Sequence, residues 1–155
     1  MTVAFEVLTA EGPVASGQAE FMVVPGREGD FGILTGHSAV LTELRPGELK
    51  LVVDGVSDYY FVAGGFVQVL PDKVVVLADT AERADLIDAE KATEARDRAR
   101  AVMESLTGSA AAAAVVERES ARLRVHELRR HHHARHHGAS LPVGGMGSGK
   151  PPEDE

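Results

Sequence analysis

Residues 47–62, GELKLVVDGVSDYYFV, contain the pattern that decides the fold of this chain. Leu49 and Leu51 flank Lys50, and this alternation of apolar and charged side chains predicts a β-strand with one buried face. The next turn signal is Asp54-Gly55, a pair that tolerates the positive φ angles of a tight two-residue hairpin. We therefore predict a β-hairpin whose strands cover residues 48–53 and 58–62.

Similar short strands are predicted on both sides of this hairpin, with turn signals about every 8 to 12 residues. Their ranges are Val3–Thr9, Gln18–Val24, Val40–Leu44, Phe66–Leu70 and Val74–Ala78. No helix-length periodic segment separates these strands, which excludes a doubly wound parallel sheet. Short, closely spaced strands are typical of an antiparallel β-sandwich, so we predict a sandwich domain over residues 1–80.

The sequence changes character after Ala78, where Ala, Glu and Arg become frequent and the apolar period lengthens from two to about 3.6 residues. A first helix is expected to begin near Asp85, whose carboxylate suits an N-cap. It carries a narrow coiled-coil seam, formed by Ala92, Ala95, Ala99, Val102 and Leu106. A second helix is expected from Ala110 to Arg130. The predicted fold class is therefore α+β: an N-terminal antiparallel β-sandwich followed by a C-terminal antiparallel two-helix hairpin at residues 81–130.

The second helix is apolar on two opposite faces. At about 100° per residue, one face carries Ala114, Ala121, Val125 and Leu128, and the other carries Ala112, Val116 and Leu123. We expect the first face to pair with the first helix, which leaves the second face open to water while the hairpin is folded back. The alternative is that these apolar side chains have no partner, as is common for scattered surface positions.

The composition limits the classes of function. Of the 155 residues, 16 are Lys or Arg and 24 are Asp or Glu, and the net charge of −8 has the wrong sign for a nucleic-acid-binding protein. The chain has no cysteine, which excludes disulfides and thiolate nucleophiles. The first residues lack the basic region of a signal peptide, and no apolar run reaches the ~18 residues of a membrane span. We therefore expect a cytoplasmic protein without direct membrane insertion.

Residues 131–155 show no periodicity and are predicted to be a disordered tail rich in His, Gly and Pro. The histidine run at residues 131–137 has ligands suited to transition metals, but a disordered segment offers no rigid site, so we expect no metal centre. Residues 144–150 match the glycine-lysine skeleton of a phosphate-binding loop, but Pro151 replaces the required Ser or Thr. We assign no function to this tail.

Four glycines fall between Pro25 and His37, the densest cluster in the sandwich region. They predict a tightly folded surface loop, which is either a binding surface or a structural corner of the sandwich. No helix follows to present its N-terminus to a phosphate, so the loop is not a nucleotide fingerprint. Neither a Ser/His/Asp set nor a catalytic pair of carboxylates stands out. We therefore expect a binding or coupling subunit and not an enzyme.

Several sequence strings carry a family resemblance that covers residues 1 to about 130. The strings are Pro25–His37 with Leu41-Thr42 and Pro46-Gly47, then Ala63–Phe66, Pro71–Val74, Leu77–Ala81 and Ala121–Leu128. In these strings and in their order, the chain resembles the epsilon subunit of bacterial F-type ATP synthases. The resemblance implies a β-sandwich followed by a helical hairpin, the same architecture that the strand and helix patterns predict.

The resemblance also implies a function. Epsilon subunits are non-catalytic parts of the rotor, in which the sandwich couples the gamma subunit to the ring of c subunits for proton-driven ATP synthesis. Their hairpin extends towards the alpha/beta catalytic head and restrains ATP hydrolysis. The implied location is the central stalk, peripheral to the cytoplasmic face of the bacterial inner membrane. The alternative function is a free-standing sandwich adaptor that dimerises through its helical hairpin.

Carried over residue by residue, the resemblance assigns the glycine-rich segment to contacts within the rotor. It implies that Asp30 and Phe31 contact the c ring and that His37 lies at the gamma-facing edge. Thr35 departs from the family, which usually has proline at this position. We expect this departure to loosen the loop.

The second helix supplies the expected regulatory residues. In an extended hairpin, Val116 and Leu123 are expected to pack against gamma, while Arg122 and Arg124 meet acidic surface on the catalytic subunits. Two arrangements of one sequence then compete, and the complex selects between them.

Some members of the family bind ATP through a segment of the form Ile/Leu-Asp-x-x-Arg-Ala. Residues 87–92 read IDAEKA here, so Lys91 keeps the positive charge but loses the planar fork that suits phosphate. With Asp88, Lys91 and Arg122 as the candidate ligands, we expect weak ATP binding or none, and no cofactor.

Overall fold

The computed structural model describes residues 1–105 and 109–137, with the backbone alone for residues 132–137. The strands in these ranges are β1 (Val3–Thr9), β2 (Gly12–Ala19), β3 (Phe21–Gly26), β4 (Gly29–Ile33), β5 (Val40–Glu43), β6 (Gly47–Val53), β7 (Val56–Val69) and β8 (Lys73–Arg83). A 3₁₀ turn at Ala84–Leu86 leads into α1 (Ala89–Ser105), and α2 (Ala110–His137) follows. Within these ranges, neither helix carries an apolar stretch sufficient to span a lipid bilayer.

The strands form one sheet in the order β2-β1-β8-β7-β6-β3-β4, with β5 paired to β7. Inward side chains of β1 and β3, such as Val3 and Met22, lie far apart in this order yet share one buried core, so the sheet folds over into two layers. All pairs are antiparallel except β1 with β8. The predicted fold class, a sandwich followed by two helices, is confirmed. The parallel pair was not predicted, because the spacing of apolar residues does not show whether two strands run in the same or in opposite directions.

The predicted hairpin between β6 and β7 is confirmed. Val53 pairs with Val56, and the two residues between them, Asp54 and Gly55, have φ angles of 49° and 75°. Positive φ at both central residues is the geometry of a type I′ turn, whose twist matches that of the flanking strands. The apolar positions of β6 face the core as the alternation requires, with Leu49 fully buried.

Two strands, β2 and β4, are absent from the prediction. The expected single strand at residues 18–24 is instead the end of β2 and the start of β3, which separate at Glu20. The glycine-rich segment is not a loop throughout, because β4 pairs with β3 from Met22↔Ile33 to Gly26↔Gly29. Glycine has a weak strand preference, so these segments lack the alternating apolar pattern from which strands are predicted.

β7 is one continuous strand where two were predicted, and it changes its inward face half-way. Tyr60 and Val62 point into the core before the change, and Val67 does so after it. An undisturbed strand keeps every second residue on the same face, so a switch from even to odd positions requires an irregular backbone. The switch occurs at Gly64 and Gly65, whose φ angles are 67° and 90°.

β8 lies directly against this pair of glycines, with its backbone at Gly65 and with a side chain at Gly64. A Cβ atom on Gly65 would collide with the carbonyl oxygen of Leu77, and one on Gly64 would collide with the carboxylate of Asp79. Both positions have the positive φ that favours glycine, and at Gly65 the backbone of Leu77 also leaves no room for a side chain, whereas the Asp79 side chain beside Gly64 can rotate away.

The second helix begins at Ala110 as predicted, whereas the first helix begins later than predicted. α1 begins at Ala89 and not near Asp85, and its cap is Asp88, whose Oδ1 accepts the Lys91 N–H at 3.1 Å. Asp85 lies instead in the 3₁₀ turn, where it accepts a hydrogen bond from Arg83. The strand β8 continues to Arg83, beyond the expected domain boundary at residue 80.

The second helix also ends later than predicted. α2 continues past Arg130 to His137, so the expected disorder of residues 131–137 is wrong. No glycine or proline interrupts the chain before Gly138, which explains why the helix continues. Leu106 and residues 138–155, with the phosphate-loop skeleton at 144–150, lie outside the described residues.

We predict that Gly65→Ala destabilises the sandwich more than Gly55→Ala does. Both glycines have positive φ, which costs a residue with a Cβ about 1–2 kcal/mol. Only Gly65 of this pair also lacks room, since nothing lies within 4 Å of a Cβ on Gly55. Urea unfolding of both variants measures the loss in the free energy of unfolding, provided that the dependence of this free energy on urea concentration is the same for both. Equal losses would show that the close approach at Gly65 has no energetic weight.

Candidate functional site

An apolar cluster outside the sandwich core fixes α2 to the sandwich, and we call it the seat. The seat consists of Tyr59, Phe61 and Ala63 of β7, Ala84 and Ile87 after β8, and Ala121 and Val125 of α2. The β7 side chains point outwards because of the change of face at Gly64. Phe61 is nevertheless 0% exposed, since α2 covers it. The structure therefore shows the hairpin packed against the sandwich.

The opposite face of α2 meets α1. Ala112 is 7% exposed and lines a groove of about 410 Å³ with Ala99 and Val102 of α1. Val116 and Leu123, on the same face as Ala112, are half-buried. The expectation that this face lies open to water is therefore wrong, and the face expected to pair with α1 meets the sandwich. A period of 3.6 residues shows that a helix has two apolar faces but not which partner each one meets.

Three charged side chains join α2 to β8, and we call Glu82, Glu119 and Arg122 the Arg122 cluster. Arg122 Nε and Nη2 donate to Glu82 Oε2 at 3.1 and 2.7 Å, and Arg122 Nη1 donates to Glu119 Oε2 at 2.8 Å. The guanidinium carbon lies 5.9 Å from the centre of the Phe61 ring, at the range of a cation–π contact. Glu119 is 3% exposed and also accepts a hydrogen bond from Arg118 at 3.1 Å.

The electrostatics of the cluster keep Arg122 charged. Burial by itself lowers the pKa of a guanidinium, but the hydrogen bonds to Glu119 and Glu82 outweigh it and raise the pKa of Arg122. A looser contact lies nearby, where Arg129 Nη2 is 3.8 Å from Asp85 Oδ2. Partial burial raises the pKa of Asp85, but the hydrogen bond and charge of Arg83 outweigh it, so that the pKa is lowered overall.

The residues expected to bind ATP do not form one group. The Lys91 side chain is 81% exposed, and its ammonium lies 3.8 Å from Asp88 Oδ2. Arg122 contacts Glu82 and Glu119 instead, so it shares no partner with Asp88 and Lys91. The sequence predicts Arg122 as a site residue but neither of the two carboxylates that it contacts. Glu119 could have been predicted, because residues three apart on a helix are neighbours. Glu82 lies on a different element, and no spacing in the sequence indicates that it contacts Arg122.

The β3–β4 hairpin presents Asp30 on the surface. Its turn is held by Arg27, whose Nη1 lies 2.6 Å from Glu43 Oε2. Arg45 donates to the carbonyl of Gly26 at 3.1 Å and to the carboxylate of Asp30. The Asp30 side chain is 55% exposed, so the hairpin offers a carboxylate in a fixed position.

Phe31 points to the opposite side of β4 from Asp30. It is half-buried and packs against the edge of the core, so close to Gly26 that a Cβ there would lie 2.9 Å from Phe31 Cε1. The rings of Phe31 and His37 have centres 6.3 Å apart, and His37 Nδ1 lies 2.7 Å from the carbonyl of Ser38. The structure thus brings Phe31 and His37 together and separates both from Asp30.

A third surface was not predicted, and we call Leu8, Leu41, Phe66 and Leu77 the outer face. Phe66 pairs with Leu77 across β7 and β8, and the two are 49% and 51% exposed. Leu8 pairs with Leu77 from the other side, and Leu41, 71% exposed, lies diagonal to Phe66 on β5. These residues occupy the strand positions that alternate with buried ones, which is where polar side chains are usual.

The fold agrees with comparisons to known proteins. Residues 2–84 match the family model of the ATP synthase delta/epsilon chain β-sandwich domain. The ATP synthase epsilon chain of Herpetosiphon aurantiacus is 44% identical over 133 residues, which cover 84% of this chain and 98% of that protein. This chain belongs to the ATP synthase epsilon chain family. The epsilon chain of Acidithiobacillus ferridurans is likewise 44% identical over 127 residues, covering 80% of this chain and 90% of that protein.

The family resemblance that the sequence strings carry is thereby confirmed. A chain in the cryo-EM structure of the Euglena gracilis mitochondrial ATP synthase, with OSCP, F1 and c-ring in rotational state 1, has the same fold. The TM-score is 0.63 at 24% identity, covering 84% of this chain and 81% of that chain. In the part of this epsilon chain that the structure describes, no group of three or more His, Asp or Glu is placed to hold a metal ion.

Proposed function

We propose that this epsilon chain is a non-catalytic rotor subunit that joins the gamma subunit to the ring of c subunits, and so couples proton flow to ATP synthesis. The observation that carries the proposal is the outer face. Scattered exposed leucines are ordinary, but a contiguous apolar patch on a sheet marks a protein contact. This role places the chain peripherally at the cytoplasmic face of the bacterial inner membrane, where the central stalk meets the ring.

The outer face is the surface that we assign to gamma. Its four side chains stand on paired strands, so the patch keeps its shape before and after binding and little conformational entropy is lost. Phe66 is its aromatic member, and large aromatic side chains dominate the energy of such contacts. We assign His37 to the gamma-facing edge, where its ring is braced against Phe31.

The β3–β4 hairpin is the surface that we assign to the c ring. Asp30 is held by Arg45, so its carboxylate is already oriented for a polar partner. Phe31, which packs against the core edge on the other side of the strand, contributes by keeping the hairpin rigid and by the exposed part of its ring.

Phe66→Glu is expected to weaken the binding of gamma by about 10-fold or more, because a charge replaces an aromatic contact. Titration of purified gamma into the full-length chain measures the affinity. Val56→Glu is the matched control, since Val56 is an exposed apolar residue, 63% accessible, at the start of β7 and away from the outer face. If the two variants bind gamma equally well, the outer face is not the gamma contact.

Asp30→Lys is expected to weaken attachment to the c ring and to reduce ATP-driven proton pumping by reconstituted membranes. The sandwich stays folded, since an exposed ion pair such as Asp30 with Arg45 contributes only about 0–1 kcal/mol. Asp97→Lys, a charge reversal on the exposed surface of α1, is the control. Pumping and retention equal to those of the control would remove Asp30 from the ring contact.

We also propose that the hairpin restrains ATP hydrolysis when it leaves the sandwich and extends towards the catalytic head. Arg124 is exposed on α2, and none of the ion pairs in the described part of the chain involves it, which leaves it free for an acidic partner surface. Arg122 is engaged with the sandwich while the hairpin is docked and becomes available only on release. Val116 and Leu123 are half-buried on the side of α2 that carries Ala112, so they become fully available to gamma only if the hairpin rearranges.

A chain ending at Asp88 is expected to assemble and couple normally but to raise ATP hydrolysis by the complex. This end keeps all of β8 and the Ala84 and Ile87 side chains of the seat, which a cut at residue 80 would remove. ATPase activity at matched occupancy of full-length and shortened subunits is the measurement. Equal activity would mean that the hairpin does not restrain hydrolysis, while the coupling role would stand.

The same geometry supports weak ATP binding or none. The two carboxylates on Arg122 already satisfy the guanidinium that a phosphate requires, and Lys91 is paired with Asp88 and largely in solvent. We therefore assign no nucleotide cofactor to this chain.

A further inference from the structure

We propose that the Arg122 cluster is a salt-sensitive latch that holds the hairpin against the sandwich. Glu82 is the half of the latch that stays on the sandwich, and Arg122 with Glu119 is the half that leaves with α2. The docking contact is present in the structure itself. Only the effect of the latch on ATP hydrolysis rests on the proposed function.

The cluster spans the boundary that must open when the hairpin is released. Glu82 pairs with Phe61 across β8 and β7, so both residues lie on the outward side of the sandwich that α2 covers. Arg122 reaches across with two hydrogen bonds to one carboxylate oxygen and places its guanidinium over the Phe61 ring. Its side chain is 20% exposed and that of Glu82 is 24% exposed, so the pair is shielded from solvent more than a surface ion pair.

The placement of Glu119 makes the latch reversible. Removing one partner of a buried ion pair is costly because it leaves an uncompensated charge. Glu119 lies one helical turn before Arg122 on α2 and bonds to it, so release does not leave the arginine without a carboxylate. Glu82 in turn is close enough to the surface to regain water. Release therefore breaks the contact across the boundary and preserves the one within the helix.

The remaining contacts across this boundary depend less on salt. Ala121 and Val125 meet the seat through apolar contact, which has no charge to screen. A second ionic contact across it in the described part of the chain, Arg129 with Asp85, is longer at 3.8 Å, and Asp85 is already engaged by Arg83 at 3.1 Å. The ionic part of docking is thus concentrated in the Arg122 cluster.

The natural absence of cysteine allows a direct test of the latch in the full-length chain. A cysteine in place of Ala121, which is 1% exposed in the seat, reacts with a thiol reagent only when the hairpin opens. A cysteine in place of Ala19, fully buried in the sandwich core, reacts only when the whole domain unfolds. Ala84→Cys, at a site 2% exposed on the sandwich side of the seat, serves as a second reporter should the first disturb docking.

Glu82→Gln is the test variant, because it removes the charge and keeps the shape. Glu6→Gln is its matched control, since Glu6 forms an ion pair of 3.1 Å with Lys73 away from the hairpin. We expect Glu82→Gln to accelerate labelling of the seat cysteine by about 10- to 100-fold, the range for a lost hydrogen bond to a charged group. Added salt should accelerate labelling in the parent and have little effect in the Glu82→Gln variant. The Ala19→Cys reporter should show no change in either case.

Equal labelling of the seat cysteine in the parent and the Glu82→Gln variant would overturn the latch. Faster labelling at both Ala121→Cys and Ala19→Cys would also overturn it, because the variant would then weaken the whole domain. ATPase activity of complexes with the Glu82→Gln subunit tests the linked function, and a decrease is expected because the hairpin is released more often. Faster labelling with unchanged hydrolysis would leave the latch standing and reject the restraint of hydrolysis.

Discussion

The close approach of Gly65 to the carbonyl oxygen of Leu77 is the constraint on which the other contacts depend. It lets β7 and β8 stay paired while β7 changes its inward face, so that Tyr60 and Val67 point into the same core. Without the change, Phe61 would point into the core and Tyr60 would point outwards. The seat would then lack Phe61, the ring over which the Arg122 guanidinium lies.

This change of face also separates the two proposed contacts on β7. The first half of the strand carries Phe61, which faces the hairpin, and the second half carries Phe66, which faces a rotor partner in our proposal. Both halves belong to one hydrogen-bonded strand, so the outer face keeps its arrangement whether or not α2 is docked. In our proposal the coupling role therefore requires no contribution from the hairpin, and a regulatory motion of the hairpin would leave the rotor contact unchanged.

The sequence predicts those parts of the structure in which one local pattern suffices. Asp54-Gly55 specifies its turn through positive φ, and Ala92 and Ala99 mark the inner side of α1 through their spacing. Long-range features left no such pattern. β4 is rich in glycine and shows no alternation, and the partnership of Glu82 with Arg122 joins two elements whose relative position depends on the change of face at Gly65. The outer face was missed because Phe66 and Leu77 look like ordinary strand residues until their neighbours show which side is buried.

The apolar contacts of the seat explain why breaking the latch increases the population of the open hairpin without making the open form dominant. Opening exposes Tyr59, Phe61, Ile87 and Val125, and a large buried apolar side chain contributes about 1.5–3 kcal/mol. Even with partial burial of these groups after opening, the sum is on the order of several kcal/mol, so the open form of the free chain is a minor species. The ionic contact at Arg122 is worth about 1.5–3 kcal/mol, which changes the population of that species by about 10- to 100-fold without making it dominant. In our proposal, an extended hairpin therefore needs a partner that covers the exposed faces of α2, so that the catalytic complex, and not the latch, determines when the hairpin extends.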